Sequence, residues 1–74
     1  MTVARVVLTI PALTLAAAEE ASVLFEEDFR IEPLAVAINE TDEVKGLWET
    51  VVYFASEAEA RGARKNLNFP NAAI

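Results

Sequence analysis

The chain contains no cysteine and no histidine. Without thiols, no disulfide can staple it and no thiolate zinc site can form. Without imidazole, it lacks the commonest general base, the usual metal ligand and every triad built on histidine. Glycine is nearly as scarce. Gly46 and Gly62 stand alone, so neither a GxGxxG nor a GxxxxGK[ST] phosphate loop is possible. There is no nucleophile elbow, and Ser22 and Ser56 have no base to activate them. Cations are few, six against twelve acids, and the net charge is −6. That balance argues against nucleic acid, whose phosphates need a basic footprint, and it suits a basic partner. Long hydrophobic runs are missing too. The stretch from Val6 to Ala18 is shorter than the roughly 20 residues a membrane span needs. It follows a single base, Arg5, and contains Thr9, Pro11 and Thr14, unlike a signal peptide. The expectation is a cytoplasmic protein that does not enter a membrane.

What is present is a small α+β pattern. At 74 residues the chain makes one domain, 1–74, with a modest core. Residues 2 to 10, TVARVVLTI, alternate with a period of two and are rich in β-branched types, so they read as a strand. Both of its faces are mostly apolar, as in a central strand. Pro11 is expected to end it, because proline cannot donate to a ladder. A helix follows from about Leu13 to Phe29, with Leu13, Ala17, Ala21, Leu24 and Asp28 on one stripe and Phe25 beside it. Pro33 keeps Glu32 extended. A second strand spans about Leu34 to Asn39, with Leu34, Val36 and Ile38 on one face. The polar turn TDEVKG ends in Gly46, which tolerates positive φ. A third strand, about Leu47 to Phe54, completes a hairpin. Ser56 and Glu59 form a capping box. The second helix runs to about Leu67 with Ala60, Ala63 and Leu67 inward, and Asn66 and Asn68 are candidate terminators.

The order β-α-β-β-α predicts a ferredoxin-like split βαβ sandwich. The tail NFPNAAI is too short for a full strand, so the fourth strand is expected to be truncated at the C-terminus, with one sheet edge open or filled by another molecule.

No active site emerges from these residues. Glu26, Glu27 and Asp28 are adjacent acids, but consecutive helical residues fan about 100° apart and do not converge. They read as a solvated helix end. Glu40, Asp42 and Glu43 lie in the hairpin turn without the spacing of a calcium loop. They read as a solvated turn or as a contact for a basic partner. Trp48 and Tyr53 have odd spacing and so occupy opposite faces of the third strand. One belongs to the core. The other belongs to an open face that Val3, Val7, Leu47 and Val51 would share, which suggests a covering partner. The candidates for partner contact are Glu40, Asp42, Glu43, Trp48 and Tyr53.

Certain of these residues carry a resemblance. The run Phe25-Glu26-Glu27-Asp28, then Pro33 before an apolar strand, then Asp42-Glu43, Leu47-Trp48-Glu49 and Tyr53, resembles the N-terminal domain of the ribosomal protein L eleven methyltransferases, in the form found in alphaproteobacteria. The likeness covers about residues 20 to 65, and more loosely the first strand and the tail. The tail Asn68-Phe69-Pro70-Asn71-Ala72-Ala73 is similar to the approach to that domain's fourth strand. The resemblance implies a ferredoxin-like domain that captures a basic ribosomal protein. The chain would then be the N-terminal fragment of a bacterial protein methyltransferase. A separate C-terminal Rossmann-like domain would bind S-adenosylmethionine and methylate amines. No catalytic, cofactor-binding or metal residue is carried over to this chain. Phe29, where a small turn residue is expected, and Asn39, where an acid is more usual, depart from the family's pattern, which bears on the details of the implied substrate surface more than on the fold.

Two other readings stand beside it. One is a stand-alone ferredoxin-like regulatory or oligomerisation module, forming a homodimer through an open sheet edge or face. A glycine-bearing loop after the first strand would favour that module, but the loop here is Pro11-Ala12-Leu13. The other is an RNA-binding sheet of the same strand order, disfavoured by the charge and by missing aromatics.

Overall fold

The computed structural model describes residues 6–74. The expected beginning of the first strand at Thr2, and Val3 with it, lie outside the described residues. The elements are β1 (Val6–Ala12), α1 (Leu15–Glu27), β2 (Ala35–Asp42), β3 (Leu47–Phe54) and α2 (Glu57–Leu67). The three strands form an antiparallel sheet in the order β1-β3-β2. This is the α+β ferredoxin-like arrangement that the sequence order predicts.

β3 is central because it alone can bury both edges of its backbone. Trp48, Thr50, Val51, Val52, Tyr53 and Phe54 give it the aromatic and β-branched content that fits a pleated, enclosed strand. On one face Leu8, Ile10, Val52 and Phe54 meet Phe25 of α1 and Ala60 and Ala63 of α2. Both helices therefore cover this face. The alanines bring α2 close, and Thr50, fully buried, donates through its Oγ1 to the carbonyl of Ala18 at 2.7 Å. That bond ties α1 to β3 and satisfies a hydroxyl that would be costly to bury alone. Phe25 is the hub of the core. It meets Phe54 edge to face, with centroids 6.4 Å apart, and stacks on Phe69 of the tail at 5.5 Å. The other face carries Val7, Thr9, Val51, Tyr53, Ala35 and Ala37 by register, and among the described residues no helix lies on it.

Pro11 does not end β1. The strand continues through it to Ala12, opposite Glu49 and Trp48. The reason lies in the hydrogen-bond alternation. Thr9 exchanges both backbone bonds with Ala73, each at 2.8 Å, so its backbone groups point away from β3. Pro11, two residues on, shares that orientation, and its missing N–H takes nothing from the β1–β3 ladder. The Thr9–Ala73 pair is an isolated antiparallel bridge on the outer edge of β1. That is the position the fourth strand occupies in the split βαβ pattern.

The inward stripe of α1 also differs from expectation. Ala18, Ala21, Ser22 and Phe25 are buried, whereas Leu13 is 79% exposed and Leu24 is half-exposed. Thr14 is the N-cap, its Oγ1 accepting from the Ala17 amide at 3.1 Å, so Leu13 precedes the helix. The helix closes at Glu27, with Asp28 as its C-cap and Phe29 beyond it. β2 begins one residue after Leu34 and continues past Asn39 to Asp42, leaving a four-residue turn from Glu43 to Gly46.

α2 follows the sequence more closely. Ser56 caps it by accepting from the Glu59 amide at 3.2 Å, which is one half of the capping box. Asn68 terminates it at φ 57°, with its N–H donating to the carbonyls of Arg64 and Lys65. Asn66 lies within the helix. Gly62 is the weak point of α2, and a Cβ there meets nothing within 4 Å. The substitution Gly62→Ala is therefore expected to stabilise the domain by about 0.5–1 kcal/mol. Urea denaturation checks this. A midpoint at or below the parent's would show that Gly62 has a packing role.

Candidate functional site

The hairpin of β2 and β3 carries four acids, Glu40, Asp42, Glu43 and Glu49, against one base, Lys45. Within it the carboxylates have different tasks. Asp42 Oδ1 accepts from the backbone amides of Val44 and Lys45, at 3.0 and 3.1 Å. This closes the turn in the manner typical of aspartate. Gly46, at φ +67°, completes the reversal. Asp42 is thus already occupied by its own backbone. Glu40 and Glu43 are exposed, and among the described residues neither belongs to an ion pair. Glu49 is half-buried and likewise belongs to no ion pair among the described residues. The ion pairs present, Asp28–Arg30 and Glu57–Arg61, lie elsewhere.

Register brings part of the expected set together. Glu40 is the direct cross-strand partner of Trp48, and such pairs share one face within side-chain reach. Trp48 is half-buried and lies at the hairpin end of the helix-covered face, beyond buried Ile10 and Thr50 and half-buried Ile38. It lines a groove of about 420 Å³ at this end of the sheet with Pro11, Ala12, Leu13, Leu47 and Glu49, of which Pro11, Leu47 and Glu49 belong by register to the other face. Thr41 and Asn71 complete its rim. A second hollow of about 180 Å³ shares Pro11, Ala12 and Asn71 with the first and continues to Ala17, Ala21, Phe69 and Pro70. Tyr53 does not join this site. It stands on the helix-free face between Val7 and Ala35, five residues along β3 from Trp48. The two aromatics lie on opposite faces as expected, with Tyr53 on the open face beside Val51, but neither belongs to the core: Trp48 sits past its end and is only half-buried.

Leu13, Pro11 and Glu49 are groove residues that the sequence pattern assigned elsewhere or passed over. A signal for Leu13 was available. Thr14 is a good N-cap residue, and reading it as one places Leu13 before the helix rather than on its inward stripe.

No protein family, curated protein or solved structure matches the chain. The site is therefore defined by its own chemistry. Its walls are mostly apolar, its flanks carry carboxylates without an ion pair among the described residues, and its one large polarisable surface is an indole. Such a groove can hold an alkyl stem that ends in a cation. Among the described residues no three His, Cys, Asp or Glu side chains converge as metal ligands, and no helix is long and apolar enough to cross a membrane.

Away from the groove, the Asp28–Arg30 pair is the strongest local electrostatic feature. Asp28 accepts from the Arg30 amide at 2.9 Å, and from its guanidinium at 3.0 and 2.8 Å. These hydrogen bonds from Arg30 lower the Asp28 carboxyl to about 2, well under the usual carboxylate range, and raise Arg30 in turn. Because the folded value is depressed, the pair's contribution is fully present above the unfolded aspartate value, about 4. It fades as pH falls toward 2. The stability difference between the parent and Asp28→Asn is expected to be constant from neutral pH down to about 4 and to shrink below that. Urea midpoints across this range check the expectation, and a difference that does not vary with pH would contradict it.

Proposed function

We propose that the chain is a substrate-recognition domain of a bacterial protein methyltransferase resembling the ribosomal protein L eleven methyltransferases. It captures a basic ribosomal protein in the cytoplasm and presents it to a catalytic domain elsewhere. The observation that carries the reading is the hairpin end of the sheet, where Glu40, Glu43 and Glu49 are without ion pairs among the described residues, Glu49 lines the Trp48 groove and Glu40 pairs with Trp48 across the strands. Carboxylates placed this way steer and select a positively charged partner. The ferredoxin-like arrangement agrees with the resemblance through Phe25 to Tyr53.

S-adenosylmethionine does not fit this chain. Of its two glycines, Gly46 sits in the hairpin turn and Gly62 inside α2, and neither opens a strand-to-helix loop of the kind that cradles such cofactors. In this reading the cofactor and the methyl transfer belong to a separate domain. The chain's own part is binding and orientation.

Calorimetric titration against purified ribosomal protein L eleven, at low and moderate salt, tests the proposal. Binding that weakens with salt is the expected result. A folded chain that gives no heat at either salt would reject it. A second reading, an oligomerisation module, is favoured by the face around Tyr53 and the outer edge of β2, which no element covers or pairs among the described residues. A sedimenting dimer without any affinity for the ribosomal protein would select that alternative.

A further inference from the structure

We infer that the Trp48 groove is the seat for one lysine or arginine side chain of the partner, held on an extended basic segment that continues along the adjoining hollow. The inference deepens the reading above and rests on it for the partner's identity, but the chemistry of the seat is argued from the groove itself.

The walls come first. Leu13 is 79% exposed and Leu47 is half-buried beside it. Together with Pro11 and Ala12 they line a groove next to the indole of Trp48. An exposed leucine beside a half-buried indole is apolar surface that a monomer gains nothing by keeping wet. An alkyl stem of three or four methylenes suits such a slot, and its charged end must then find compensation. Trp48 offers the face of the best aromatic partner for a cation. Glu49, a lining residue, and Glu40, which pairs with Trp48 across the strands just outside the lining, flank the groove from the two faces of the sheet with carboxylates that no described cation neutralises. An acidic side chain or a phosphate in this seat would meet like charge. A purely apolar side chain would leave the carboxylates unused.

The second feature is continuity. The hollow beyond Pro11 and Ala12 passes Ala17 and Ala21 of α1 and reaches Phe69 and Pro70. It gives an extended backbone somewhere to lie without crossing the core. The competing occupant is a second copy of this chain, because Arg61, Arg64 and Lys65 gather at the end of α2. Arg61 is already paired with Glu57 at 2.7 Å, and Arg64 reaches the carbonyl of Ala72 at 3.4 Å. That cluster is therefore partly engaged within its own chain.

Trp48 is the only tryptophan, so its emission reports on the seat directly. The test titrates the intact chain with tetralysine, tetraarginine and fully Nε-acetylated tetralysine. The two cationic peptides are expected to shift Trp48 emission saturably, and the acetylated peptide is not. Trp48→Ala, followed by calorimetry, is expected to weaken cationic-peptide binding by about 3- to 30-fold. The double variant Glu40→Gln with Glu49→Gln keeps the indole and is expected to weaken it as well, which guards against a Trp48→Ala chain that fails to fold. Unchanged emission up to millimolar tetralysine would overturn the seat, as would equal response to the acetylated peptide. Emission that depends on protein concentration without peptide would assign the groove to a second copy and overturn it too. The two proposals fail separately. Ribosomal protein that binds while Trp48→Ala leaves its affinity unchanged removes the seat alone. Tetralysine that binds while the ribosomal protein does not removes the recognition reading alone.

Discussion

Phe25→Ala is expected to lose about 3–5 kcal/mol of folding stability, while Phe29→Ala, four residues on, changes it by no more than about 0.5 kcal/mol. Phe25 is fully buried and joins three parts of the molecule. It rises from α1, meets Phe54 of β3 edge to face, and stacks on Phe69 of the tail. Truncation removes both aromatic contacts and leaves a cavity between the sheet and the helices. Phe29 is 90% exposed beyond the end of α1, and its removal returns apolar surface that was already in water. For a domain of this size, total stability is roughly 4–11 kcal/mol, so the first change takes a large share of it. Loss of Phe25 also releases Phe69, and with it the Thr9–Ala73 bridge. Amide exchange at Ala73 is therefore expected to rise together with the fall in urea midpoint. A Phe25→Ala chain with a near-parental midpoint would show that the core is organised differently.

Reversal of Glu40 and Glu43 to lysine is expected to weaken binding of the basic ribosomal protein by about 30-fold at low salt, and by much less at moderate salt. A single contact between unit charges near a protein surface is worth about 1–4 kcal/mol, and two exposed contacts at the lower end give about 2 kcal/mol, a factor near 30. Neither carboxylate accepts a hydrogen bond from a described residue, so folding should survive the change. Asp42 is left out deliberately. Its carboxylate holds the Val44 and Lys45 amides, and its reversal would mix loss of the turn with loss of charge. The paired control is Glu26→Lys with Glu27→Lys on exposed positions of α1, which alters net charge equally. If both double variants lose the same affinity, long-range charge alone accounts for binding, and the hairpin has no special place in it.

The order of elements was legible because its signals are local. Alternation in β2 and β3, the serine cap of α2 and the polar turn before Gly46 each follow from neighbouring residues, and the structure has all of them. The faces of β3 were legible for the same reason, including the separation of Trp48 from Tyr53. What failed depends on distant chain. α1 carries alanine, valine, leucine and phenylalanine on several sides, so more than one stripe can face inward. Packing against Val52 and Phe54 selects the one through Ala18, Ala21, Ser22 and Phe25. Pro11 could not be read as a strand residue without knowing that its backbone faces the edge shared with Ala73. The acidic hairpin was visible in the sequence, but the division of labour between Asp42 and its neighbours was not. The groove was hidden entirely, because Leu13, Trp48 and Asn71 come from three separate parts of the chain.

The central claim, that the hairpin end of the sheet is where a basic partner docks, is tested most directly by amide and indole chemical-shift mapping. The ¹⁵N-labelled chain would be titrated with ribosomal protein L eleven. The expected result is a set of shifts confined to the Trp48 indole, the amides around Glu40, Glu43 and Glu49, and those of Pro11's neighbours Ile10, Ala12 and Leu13. Shifts centred instead on Tyr53, Val7 and Ala35, or on the exposed side of α2, would contradict it.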